Sequence, residues 1–151
     1  TTSQTSVHAT KVLGGPELLE LRSLVRQVPV ARTVQDYAVR ILIGSHPDAE
    51  QAQKALGKVE KTDRNDLVRR FVRYGASPRG AQALLLGAKV LALLDGRFAV
   101  SCADVAKVAR PALRHRLILN FEGQAEGIST DDIIAAIVAR TPEAVPSTAR
   151  S

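Results

Sequence analysis

The sequence predicts an all-α fold, a bundle of five to seven helices joined by short connections. Three observations carry that prediction. Apolar residues make up 45% of the 151-residue chain but aromatics only 3%, so the core must be Leu, Val, Ile and Ala. Ala and Leu in quantity favour helix. Apolar positions recur at i, i+3, i+4 and i+7 between Pro, Gly or Ser/Asp punctuation. No alternating run of useful strand length appears, although "FAVS" at 98–101 reads as briefly extended.

The elements follow in order. Residues 1–15, "TTSQTSVHATKVLGG", are small and polar and read as a linker. Pro16 suits a first helical turn, and Leu18, Leu21, Val25 and Val28 follow at helical spacing until "VPV" at 28–30 stops them. Thr33 with Asp36 predicts the cap of a second helix, whose half-buried face is Val34, Tyr37, Ala38, Ile41 and Leu42. "GSHPD" at 44–48 breaks it. Residues 48–62 are polar and read as a weak helix or a long loop. A short helix from Asp63 to Tyr74 presents Leu67, Val68, Phe71 and Val72 and ends at Gly75.

The longest helix runs from Ser77 to about Leu94. Leu84, Leu85, Ala88, Leu91 and Ala92 line one side and Leu86, Val90 and Leu93 another, which predicts a central helix buried nearly all round. "DGR" at 95–97 turns out of it. Ser101 with Asp104 caps a helix carrying Val105 and Val108, and Pro111 starts another, "PALRHRLILNF". Asp131 and Asp132 open a last amphipathic helix with Ile133, Ile134, Ile137 and Val138, where acids suit the N-terminus. "TPEAVPSTARS" reads as a frayed tail.

The net charge is +6, and Arg far outnumbers Lys. An Arg-rich surface satisfies that, and so does contact with phosphate, since the guanidinium fork matches phosphate oxygens. The single cysteine, Cys102, excludes an internal disulfide and a multi-cysteine zinc site, and reads as a small packing residue. "ALLLGAKVLALL" is interrupted by Lys89 and is too short to span a bilayer. With no leader pattern at the start, a soluble, cytoplasmic protein is expected. No catalytic triad, carboxylate pair or metal cluster is arguable.

"YGASPRGAQ", residues 74–82, holds the strongest candidate. Ser77 is placed to accept an amide at the helix start, Pro78 suits the first helical position, and Arg79 then stands second. A cation there opposes the helix dipole, at about 0.3–1 kcal/mol if exposed. A bound anion would compensate, because free N–H groups, the positive dipole end and the guanidinium converge on it. A solvated arginine, or one paired with a nearby carboxylate, is the plain alternative.

Residues 74–138 resemble the C-terminal lid of MoxR-type AAA+ ATPases. The landmarks are "GASPR", "LLDGR", the "DV" of the short helix, "LRHRLILNF" and "AEGIS". "ELLELRSLVRQVPVARTVQDYAVRIL", residues 17–42, resembles the start of the same lid, so that the lid spans 16–142 and 143–151 is a flexible tail. Residues 43–66 add nothing to the match, and "IGSHP" stands where many relatives carry a Thr-Arg pair.

The resemblance implies that Arg79 is the sensor 2 arginine, reaching the γ-phosphate of ATP held by a neighbouring large domain. Gly75, Ser77 and Pro78 are implied to share the nucleotide contact. It further implies a hexamer, a chaperone-like role, contacts with the chain's own AAA+ core and adjacent subunits, and von Willebrand factor A domain partners. Mg would be supplied with ATP by that core. This chain carries no G-x-x-x-x-G-K-[ST] loop and no hydrophobic strand ending in paired acids. It is therefore expected not to hydrolyse ATP alone, with residues 1–15 leading from a core on the N-terminal side.

Two further clusters were weighed by geometry. In "RHR", Arg114 and Arg116 point to different faces if helical, which suggests a helix-surface or subunit-interface cluster. Arg64, Arg69, Arg70, Arg73 and Arg79 form a basic run broken by Asp63 and Asp66. That run supports the alternative function, a free-standing basic helical module binding nucleic acid or a partner protein. Scarce stacking aromatics and the lack of a recognition-helix signature speak against nucleic acid, and no membrane partner is expected.

Overall fold

A computed structural model describes residues 10–48 and 66–143. Within them the elements run α1 (Gly15–Gln27), α2 (Arg32–Gly44), α3 (Asp66–Phe71), β1 (Val72–Tyr74), α4 (Pro78–Leu94), α5 (Cys102–Leu113), β2 (Ile118–Leu119), α6 (Phe121–Ala125) and α7 (Thr130–Arg140). The all-α expectation holds, with seven helices among the described residues. The expected elements at 1–9, 49–65 and 144–151 lie outside those residues.

Four helices make the bundle. The α4–α5 hairpin is its most extensive contact, with α2 and α7 packed against it. Their buried faces supply Ile41, Leu84, Val105, Leu113, Ile133, Ile134 and Ile137, each almost wholly removed from water. Each such aliphatic side chain contributes about 1.5–3 kcal/mol relative to exposure, which is how a core almost without aromatics holds together. Arg40 on α2 donates to the carbonyls of Pro142 (3.0 Å) and Glu143 (3.0 Å), tying the end of the described chain back to the bundle.

α4 is central but is not buried all round. Its buried stripe is Gly80, Leu84, Ala88 and Ala92, at four-residue spacing, with Leu84 its one large side chain. Small residues let α5 approach: a Cβ on Gly87 would lie 3.3 Å from Val108 Cγ1. Leu86 and Leu94 remain at the surface, 52% and 77% exposed.

α1 packs on α4 but buries none of its residues, and Leu18, Leu19, Leu21 and Leu24 are exposed. Lys89, the residue that interrupts the apolar run, holds it by donating to the Arg26 carbonyl at 3.0 Å.

Three boundaries differ from expectation. α2 begins at Arg32 with Ala31 as its cap, because the Asp36 carboxylate is taken by Arg32 at 3.0 Å, an i,i+4 pair, and not by a cap at Thr33. Pro111 lies inside the last turn of α5 and starts no helix. It removes an amide donor and crowds the carbonyl four residues back, and the helix ends two residues later. Residues 98–101 form no strand. The extended backbone falls instead on Ile118–Leu119, which pairs antiparallel with Val72–Tyr74, in place of the expected helix ends.

This two-stranded ribbon joins α3 to α6 at one end of the bundle. Asn120 fixes it by donating Nδ2–H to the Arg70 carbonyl at 2.5 Å while its Oδ1 accepts Gly123 N–H at 2.9 Å.

The family-like landmarks prove to be helix stops. After α4, Gly96 adopts φ +69°, Arg97 N–H reaches Ala92 O (2.7 Å) and Gly96 N–H reaches Leu93 O (3.0 Å). After α6, Gly127 at φ +67° repeats the arrangement, with Ile128 N–H to Gly123 O at 2.9 Å. Both are Schellman closures, in which a left-handed residue satisfies the orphan carbonyls. Open space surrounds Gly96, so Gly96→Ala isolates backbone cost: a stability loss of about 1 kcal/mol is expected in urea denaturation.

Candidate functional site

Arg79 stands where the sequence placed it. Ser77 is the N-cap of α4 with φ −66° and ψ 167°, and Pro78 opens the helix. The Ser77 side chain makes no capping hydrogen bond, contrary to expectation; only its carbonyl is used, by Gly80 N–H at 2.6 Å. Ser77, Pro78 and Arg79 are all exposed, and Gly75 is half-buried.

The flanks of the turn are anchored. Ala76 is fully buried, and Gly80 faces the core so closely that a Cβ would lie 2.9 Å from Leu42 Cδ1 and 3.1 Å from Leu113 Cδ2. With both neighbours turned inward, Arg79 is presented outward. No described carboxylate or carbonyl takes its guanidinium. The paired-arginine alternative is thus not realised among the described residues. The α4 N-terminus presents a cation and no compensating acid in its first turn; Pro78 has no N–H, and Gly80 N–H is already held by the Ser77 carbonyl.

Beside this turn lies an open cleft of about 520 Å³ lined by Ile43, His46, Pro47, Asp48, Arg73, Tyr74 and Gly75. The Arg73 guanidinium sits 5.3 Å from the Tyr74 ring centroid.

The other arginine clusters resolve differently. The basic run does not form one free face: Arg70 is committed to Glu122 (2.7 Å) and Glu126 (2.8 Å), and Arg64 lies outside the described residues. "RHR" occupies the turn after α5 and not a helix. There Arg114 pairs with Asp131 at 2.7 Å, tying the end of α5 to α7, and Arg116 donates back to Ala112 O at 3.0 Å in the last turn of α5. Among the described residues no group of His, Cys, Asp or Glu is arranged to hold a metal ion. Cys102 packs against the core, and burial pushes its thiol above the ordinary range, so it is protonated at neutral pH.

The landmarks "LLDGR" and "DV" meet in the fold, a contact that neither motif shows by itself. Arg97 holds Asp104 through two bonds, Nη2 to Oδ1 at 2.6 Å and Nη1 to Oδ2 at 2.9 Å, and reaches Asp95 at 2.9 Å. Ser101 donates its N–H (2.8 Å) and its hydroxyl (2.7 Å) to the same carboxylate, completing the capping box. The Asp104 side chain is 2% exposed. It is a structural centre that sets the α4–α5 turn.

The bundle, with a short ribbon at one end and an arginine offered at the start of its central helix, is matched by the helical lids of AAA ATPases. Residues 64–137 match the family model for the AAA lid domain. Chaperone MoxR1 of Mycobacterium tuberculosis is 31% identical over 134 residues, covering 89% of this chain and 32% of that protein. Protein MoxR of Paracoccus denitrificans is 45% identical over 51 residues, 34% of this chain and 15% of that protein. A crystal structure of a Cytophaga hutchinsonii protein superposes with a TM-score of 0.69 at 31% identity over 84% of this chain and 35% of that one. The chain belongs to the lids of MoxR-like AAA+ ATPases. It spans about a third of the length of MoxR1 and of the Cytophaga protein. No described helix is long and apolar enough to cross a membrane.

Proposed function

We propose that this lid senses the terminal phosphate of ATP through Arg79 and transmits nucleotide state to the rest of a MoxR-type ATPase. The observation that carries the reading is Arg79 itself, exposed at the second position of α4 and without a partner among the described residues. A γ-phosphate would take the guanidinium at the positive end of the helix. Ser77, Pro78 and Gly75 would line the same turn. ATP, with Mg held by the core, is the cofactor in this reading. The lid closes when the phosphate is present and relaxes when it leaves.

The exposed leucines of α1 support a lid resting on a larger body. Leu18, Leu19, Leu21 and Leu24 form an apolar stretch that the bundle leaves uncovered. The ATPase core of the same polypeptide and neighbouring subunits of a hexamer would cover it, in a chaperone-like machine located in the cytoplasm. Von Willebrand factor A domain proteins are the partner class this reading assigns.

The test is differential affinity in the intact ATPase. Arg79→Ala is expected to weaken ATP binding roughly tenfold, the worth of about 1.4 kcal/mol of charge-assisted hydrogen bonding, with ADP binding unchanged. Equal affinity changes for ATP and ADP would remove the terminal-phosphate assignment.

A further inference from the structure

The turn that carries Arg79 is not positioned by its own cap. Ser77 makes no side-chain bond, so the direction of the first turn of α4 is set elsewhere. Two consecutive residues at the end of α2 set it. Ser45, fully buried, accepts the Ala76 N–H at 3.0 Å and donates its hydroxyl to Leu42 O at 2.6 Å. His46 places Nε2 2.9 Å from the Ala76 carbonyl. A carbonyl only accepts, so Nε2 carries the hydrogen. Both backbone groups of Ala76 are therefore held by the "SH" of "IGSHP".

Gly75 makes this grip possible. A Cβ there would lie 2.7 Å from His46 Cγ and 2.7 Å from the Ser45 carbonyl oxygen, and backbone cannot yield as a side-chain tip does. The Leu42 side chain extends the same contact to Gly80 on the far side of Arg79. The end of α2 thus touches the sensor turn on both flanks of the arginine.

The geometry points to Ser45 and His46 as positioning residues for Arg79, making the α2 C-terminus and the sensor turn one rigid unit. The inference rests on the sensor reading of Arg79. His46 is exposed, so its hydrogen bond can be removed without opening the core.

The experiment uses the intact ATPase carrying His46→Phe, His46→Gln and Arg79→Ala, with turnover, ATP and ADP affinity and thermal melting measured on each. His46→Phe keeps a ring over Gly75 but removes the donor; His46→Gln retains an N–H near the same place. The expected result for His46→Phe is a roughly tenfold fall in turnover and a smaller ATP-over-ADP preference. That is less than the hundredfold loss an ångström of misplacement produces. ADP affinity and melting temperature stay unchanged, and His46→Gln recovers most of the turnover.

Wild-type turnover and nucleotide preference in His46→Phe, alongside losses in Arg79→Ala, would overturn the positioning role and leave the sensor reading standing. A loss that tracks melting temperature, or one that His46→Gln fails to recover, would also overturn it. Wild-type behaviour in Arg79→Ala would remove the sensor reading and this inference with it.

Discussion

Asp104→Ala is expected to cost on the order of 3 kcal/mol of stability and to lower the melting temperature by roughly 10 °C. The substitution removes the acceptor for the Ser101 N–H and hydroxyl, the carboxylate half of the α5 capping box, while the Ser101 hydroxyl keeps the backbone N–H of residue 104. It also leaves Arg97 only its bonds to Asp95 and to the Ala99 carbonyl. The figure is taken at the low end for a buried ion pair because the Arg97 side chain is 39% exposed and regains water. Urea denaturation reads it directly; a loss below about 1 kcal/mol, the worth of a cap alone, would contradict the account.

A pH series gives the same centre a second signature. Arg97 holds the Asp104 carboxyl well below the usual carboxylate range, against the opposing effect of burial and with help from the Ser101 donors. A depressed folded-state value stabilises the native form above the unfolded value, about 3.9, and that contribution is lost as pH falls below it. The wild-type chain should therefore lose stability below about pH 4 more steeply than Asp104→Asn, which cannot titrate there.

Arg79→Ala in the intact ATPase is expected to lower ATP turnover roughly 100-fold, the scale of removing one preorganised donor from a developing charge. Folding should not suffer, since Arg79 is exposed and no described residue depends on it for a hydrogen bond or ion pair. Removing a cation from the first turn should even relieve the helix dipole slightly. Arg79→Lys should recover part of the rate, because a point charge replaces the fork without its two-pronged geometry. Turnover at the wild-type level in Arg79→Ala would contradict the sensor role, and unfolding would make Arg79 structural.

The fold was legible where periodicity and caps agreed. α7 and its Ile133, Ile134 and Ile137 face, the Ser101–Asp104 capping box, and the helix from Ser77 to Leu94 all follow from local pattern. The failures occurred where a tertiary partner outweighs a local signal. Ile118 and Leu119 look helical in "LRHRLILNF" and become a strand because Val72–Tyr74 lies alongside. The apolar sides of α4 read as buried, yet only pairing with α5 decides which side is covered.

At the candidate site, Arg79 was legible because Ser-Pro before it fixes its helical position. The hold on Ala76 was not. Ser45 and His46 lie some 30 residues earlier in a loop with no periodic signal, and their bonds of 3.0 and 2.9 Å are made only after α2 and α4 pack. Arg97 and Asp104 were both visible as residues but not as a pair, since nothing in a seven-residue separation across a turn specifies contact.

The measurement that reaches the central claim most directly is a structure of the intact ATPase bound to a non-hydrolysable ATP analogue. The account predicts an Arg79 guanidinium nitrogen within hydrogen-bond range, about 3 Å, of a γ-phosphate oxygen. An Arg79 that points to solvent, or pairs with a carboxylate while the γ-phosphate is held by other groups, would contradict it.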